Sequence, residues 1–181
     1  LLPLIYHISL QREDSFIVFI HTEYESINVE GAIQPIPSII AIDQRWKDLG
    51  NALFHSPLLS KDNTISCSSC HAIALGGDDG FSLSSGVGGK VGTRNSPTVL
   101  NAVFNFKQFW DGREPDLASQ VTGPIHNPVE MATTWEDIVT KLSQDEYFSR
   151  AFAELSSDIS TDNIVKAIVT FEESLVTPGS A

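Results

Sequence analysis

Basic residues are scarce in this chain of 181 residues. Lys and Arg number 11 against 23 Asp and Glu, a formal charge of -12. This argues against nucleic acid as a partner, because its phosphates would be repelled. Such a charge favours a basic partner face, although it also serves simple solubility. Long apolar runs are absent too: no stretch approaches the roughly 20 residues that span a bilayer. Cysteine is limited to two residues and methionine to one. Hydrophobic residues make up 41% of the chain, an ordinary share for a globule. The length suffices for one domain with a real core, or for one domain and a short arm.

What is present concentrates at one place. Both cysteines fall in Cys67-Ser68-Ser69-Cys70-His71, the C-x-x-C-H spacing that attaches a c-type haem. The two thiols reach two vinyl groups of one porphyrin. The next residue then lies under the iron and offers an imidazole nitrogen as proximal ligand. A structural zinc site would need two further ligands at a similar spacing. A thioredoxin-like pair sits at a strand–helix junction and has no need of the histidine. One covalent haem c on Cys67 and Cys70, with His71 on the iron, is therefore expected. Covalent haem is attached outside the cytoplasmic membrane in bacteria, so an exported, periplasmic protein is expected. That expectation rests on the motif alone, since no leader is visible before Leu1.

The remaining pattern is mainly helical. Gln34-Pro35-Ile36-Pro37 breaks any regular element and separates an N-terminal arm, residues 1–35, from a haem domain, residues 36–181. Ile42, Trp46, Leu49 and Leu53 recur at helical spacing and predict an amphipathic helix over 43–54, ended by Ser56-Pro57. A short helical turn over 66–72 carries the cysteines. Residues 75–97 hold seven of the twelve glycines and predict a long loop, a length that implies a purpose. Helical turns are expected over 97–105 and over 117–122, before Gly123-Pro124. Thr134 with Glu136 and Asp137 opens a helix bearing Ile138, Val139 and Leu142. A further helix spans 146–155. A last one, capped by Thr161 or Asp162, carries the stripe Ile164, Ile168, Phe171 and Leu175.

The middle segment is more specific. Arg94-Asn95-Ser96-Pro97-Thr98 is followed by Gln108-Phe109-Trp110-Asp111-Gly112-Arg113, then Gln120, Gly123-Pro124-Ile125, and Pro128-Val129-Glu130-Met131. In this order after a C-x-x-C-H, these strings resemble the N-terminal, peroxidatic haem domain of bacterial dihaem cytochrome c peroxidases, the family that includes MauG-like enzymes. The resemblance runs from about Trp46 to Thr177. It implies a cytochrome c-like helical fold and reduction of hydrogen peroxide with electrons from a small redox protein, a cytochrome c or a cupredoxin.

The resemblance also implies roles. Cys67, Cys70 and His71 match the attachment and proximal positions of the peroxide-reacting haem. Gln120 and Glu130 match the distal catalytic pair. Trp110 matches the tryptophan between the two haems, and Asn95 a contributor to a calcium site at the domain junction. A carboxylate near the iron can accept a proton from peroxide and return it, while an amide holds the peroxide and stabilises developing charge. Without the match, Trp110 reads as a core aromatic, Asp111 and Arg113 as an ion pair, and Asn95 as a turn residue.

Two departures stand out. Where many family members carry an iron-ligating histidine in the glycine-rich loop, this chain has Val87, so an open haem is expected, with His126 the nearest alternative ligand in sequence. There is one C-x-x-C-H where the family has two. The chain is then a fragment, one half of a split enzyme, or a single-haem derivative, and the electron comes from a second haem domain or another protein. A plain electron carrier, with Met131 as sixth ligand, or a haem subunit of a larger redox assembly is the competing function. The arm holds Phe16-Ile17-Val18-Phe19-Ile20, a liability if exposed, and is expected to pair along a sheet edge or contact another subunit.

Overall fold

Asp43 accepts a hydrogen bond from the Arg45 N–H (2.9 Å) and so starts the first helix one residue later than the start of the expected span. The computed structural model describes residues 35–38 and 40–179. The expectation for the N-terminal arm falls on residues 1–34, outside the described residues. Six α-helices follow: α1 Gln44–Phe54, α2 Cys67–Cys70, α3 Leu117–His126, α4 Trp135–Gln144, α5 Glu146–Glu154 and α6 Thr161–Glu173. Among the described residues there are no strands, only three isolated antiparallel bridges that tie loops together. None of the described helices is long and apolar enough to cross a membrane.

The core is built on α1 against α6. Trp46, Leu49 and Leu53 of α1 meet Ile164, Ala167 and Ile168 of α6, with Val121 and Ile125 of α3 and Ile138 and Leu142 of α4 closing the cluster. Gly50 lets the two helices touch. A Cβ there would run into the Ala167 carbonyl and lie 2.8 Å from the Phe171 Cβ. The Lys166 ammonium stands 3.9 Å over the Trp46 ring and covers one edge of this contact.

Two boundaries differ from the sequence pattern. Helix α3 continues through Gly123-Pro124 to His126. Proline this late removes only one rung of the ladder, and the Asn127 N–H still reaches the Gly123 carbonyl at 3.1 Å. Helix α6 is preceded by Ser160 rather than capped by Thr161 or Asp162. Leu175 falls beyond the helix end and packs instead on the small cluster of Phe54, Val99 and Phe171.

Candidate functional site

Helix α2 is a single turn. The Ser66 N–H donates to Ser69 Oγ (2.9 Å) at its start, and the His71 N–H donates to the Cys67 carbonyl (2.9 Å) at its end. The turn puts both cysteines and His71 on the wall of one cavity of about 680 Å³, within the size range of cofactor sites. Val99, Val121, Ile125 and Ile168 give the cavity its apolar lining.

Both thiols are free. Burial pushes Cys67 up to about 12, and the nearby Glu172 carboxyl adds to the rise. Burial raises Cys70 as well, with Asp79 adding to it. A redox dithiol needs a depressed thiol pKa, and burial here acts in the opposite direction. Burial also holds the His71 imidazole below its ordinary pKa. Its Nδ1 lies 3.3 Å from the Gly77 carbonyl. Donation there fixes the tautomer and leaves Nε2 as the lone-pair nitrogen, the arrangement in which ligating histidines are held. Thiols, neutral imidazole and apolar walls together fit a covalently held haem.

The distal candidates line the same cavity. Glu130 and Gln120 are both half-buried on its wall. Asn127 Nδ2 donates to Glu130 Oε1 at 2.7 Å, and the Val87 N–H donates to the Glu130 carbonyl at 2.8 Å. Burial raises the Glu130 pKa, opposed by the Asn127 hydrogen bond and by Arg113. Gly86 makes room for this segment: a Cβ there would collide with the Val129 carbonyl and sit 2.7 Å from the Glu130 Cα. Neither Asn127 nor Gly86 was singled out from sequence, although Asn127 stands three residues before Glu130 and Gly86 within the glycine-rich loop.

Trp110 sits at the rim, 62% exposed, so the core-aromatic reading fails. Its Nε1–H donates to the Asn95 carbonyl at 3.1 Å. Asp111 bridges Arg94 (3.0 Å) and Arg113 (2.8 Å), which holds its carboxyl down at about 2. Arg113 also lies 3.3 Å over the Phe109 ring, and Phe109 is backed by Gly123, where a Cβ would come within 2.7 Å of it. The expected ion pair of Asp111 and Arg113 is thus present and braces the rim.

The remaining iron-ligand candidates separate. His126 is exposed and lines a different crevice, with Lys61, Val87 and Lys90, so it does not face the haem cavity. Val87 is buried toward that same crevice. Met131 is buried on the cavity wall. Asn95 is exposed, and no group of three or more His, Cys, Asp or Glu among the described residues could hold a metal ion.

Sequence reasoning missed Glu172. It is buried on the cavity wall, its Oε2 has no hydrogen-bond partner, and burial pushes its carboxyl up to about 8. The signal was available: Ile164, Ile168 and Glu172 continue one helical stripe, which puts an acid in an apolar register.

Residues 44–181 match the family model for di-haem cytochrome c peroxidases. The chain is 49% identical over 150 residues to cytochrome c peroxidase Ccp of Escherichia coli K12, covering 82% of this chain and 32% of that protein. To cytochrome c551 peroxidase of Pseudomonas aeruginosa it is 43% identical over 157 residues, covering 81% and 45%. It therefore spans less than half the length of either. Among solved structures, a MauG-like protein associated with microbial copper homeostasis superimposes with a TM-score of 0.70 at 28% identity, over 83% of this chain and 47% of that one. A helical, cytochrome c-like domain built around a C-x-x-C-H cavity, with relatives at this level of identity, belongs to the di-haem cytochrome c peroxidase family.

Proposed function

We propose that residues 36–181 form the peroxide-reducing haem domain of a cytochrome c peroxidase, with one haem c on Cys67 and Cys70 and His71 as its proximal ligand. The observation that carries this reading is the half-buried Glu130, raised in pKa and braced by Asn127, on the wall of the cavity that also holds the attachment motif. The haem supplies the redox iron. Glu130 takes a proton from one oxygen of hydrogen peroxide and delivers it to the other, which leaves as water. A carboxyl whose pKa burial raises above its ordinary value is better suited to hand a proton back. Gln120 holds the peroxide by its amide.

Electrons come from a small redox protein, a cytochrome c or a cupredoxin, whose basic face suits the charge of -12. They enter through a second haem domain or subunit beyond the exposed Trp110, which we take as the residue between the two haems. A calcium at Asn95 would draw its other oxygens from that second unit. Covalent haem attachment makes the periplasm the expected location.

The test is Glu130→Gln, which keeps the shape and removes the proton. Peroxide reaction in single-turnover stopped flow should slow by about 10²–10⁴-fold, with haem content unchanged. Equal rates would make Glu130 a bystander.

A further inference from the structure

Glu172 is the only acidic or basic residue among the buried described residues, and the chemistry above leaves it unused. It stands in the last turn of α6 and shares the cavity wall with Cys67 and Ile168. Its Oε2 is sealed from solvent without a hydrogen-bond partner, and it takes part in none of the salt bridges of the described residues. Its charge is nevertheless felt at Cys67. A carboxyl placed in this way is in electrostatic contact with whatever is bound to that cysteine.

We propose that Glu172 is a redox-linked proton site: it binds one proton when the haem on Cys67 and Cys70 gains an electron and releases it when that electron leaves. The inference rests on haem attachment as read above. An electron entering a buried, low-dielectric site adds a negative charge beside the carboxylate. No described salt bridge or hydrogen bond at Glu172 Oε2 offsets it, so the carboxylate is disfavoured and a proton is drawn from solvent. The balance is one electron from the donor protein to the iron and one proton from water to Glu172. Both are given up as peroxide is reduced, a reaction that consumes a proton for every electron. Burial alone already pushes this carboxyl up to about 8, so the exchange is expected around that pH.

Other ionisable groups face the same space. Cys67 and Cys70 lose their thiol protons on attachment, and His71 is fixed on the iron. Glu130 follows α3, and Asp78, Arg94, Lys107 and Arg113 come from the surrounding loops. Just after α1, the His55 ring lies 6.2 Å from that of Phe171. Glu130 is the serious competitor, being half-buried with a raised pKa of its own.

The experiment is a redox titration of the holoprotein from about pH 6 to 9, for the parent, Glu172→Gln and Glu130→Gln. The parent midpoint potential should fall with pH, approaching one proton per electron. Glu172→Gln should lose most of that slope, and Glu130→Gln should keep it. Reduced-minus-oxidised infrared spectra should show a protonated carboxyl gained on reduction in the parent and missing in Glu172→Gln. A pH-independent parent, an unchanged slope in Glu172→Gln, or loss of the slope in Glu130→Gln overturns the proposal. Should Glu172→Gln fail to fold, proton uptake on reduction is read with a pH dye in the parent and Glu130→Gln. No uptake near pH 8 in the parent, or its loss in Glu130→Gln, overturns it equally. A denatured mass lacking the haem increment would instead refute the attachment on which it rests.

Discussion

Replacing Gly86 by alanine should disturb both stability and the site. The backbone tolerates the change, since φ is -105° and ψ is -156°, so the effect is purely steric. The new methyl would collide with the Val129 carbonyl and meet the Glu130 carbonyl at 2.6 Å and its Cα at 2.7 Å. All three are backbone atoms and none can rotate away. The two segments must part by roughly half an ångström or more, which stretches the 2.8 Å bond from the Val87 N–H to the Glu130 carbonyl. Overpacking costs about 1–3 kcal/mol, and losing that bond about 0.5–1.5 kcal/mol. The restricted unfolded chain returns about 0.4–1 kcal/mol. The net loss is about 0.5–4 kcal/mol, read by urea unfolding. Glu130 moves with its backbone, and a misplacement approaching 1 Å can cost about 10²-fold in rate. Single-turnover reaction with peroxide should therefore slow in the haem-loaded variant. Gly92→Ala is the control, because its new methyl would lie 3.5 Å from the Ser84 carbonyl, an ordinary contact. A Gly86→Ala protein as stable and as fast as the parent would refute the reasoning.

Two further outcomes follow from the same packing and electrostatics. Gly50→Ala should lower the urea midpoint with an unchanged slope: the clash with Ala167 and Phe171 costs about 1–3 kcal/mol, against about 1 kcal/mol that alanine gains in a helix. Stability should also fall as pH rises from about 4.5 to about 8. In that window the unfolded chain has released the Glu172 proton and the folded protein still holds it, so higher pH favours unfolding. The loss is at most on the order of 5 kcal/mol, and Glu172→Gln should flatten it.

The helices were legible because their signals are local. Asp43, Thr134 and Asp145 cap α1, α4 and α5 by their own side chains, and the apolar registers of α1 and α6 point at each other. The site was legible in its chemistry and not in its geometry. The C-x-x-C-H motif and the family resemblance single out Cys67, Cys70, His71, Gln120 and Glu130 as candidates, but only the fold brings them to one cavity. It also parts His126 from them, although His126 stands only four residues before Glu130. The two residues by which α3 continues beyond Gly123-Pro124 put that ring on another face. Trp110 misled in the other direction, since burial belongs to the fold and this indole is at the rim. Gly50 and Gly86 were silent in the sequence, because a glycine required by a close approach looks like any other.

The most direct test of the account is the electron paramagnetic resonance spectrum of the oxidised holoprotein at neutral pH. With His126 facing away and Val87 turned to another crevice, the iron should be high-spin, with its distal side open or holding water. The spectrum should stay the same in His126→Ala. A low-spin ferric spectrum that becomes high-spin in Met131→Ala would place the buried methionine on the iron, close the site to peroxide, and contradict the account.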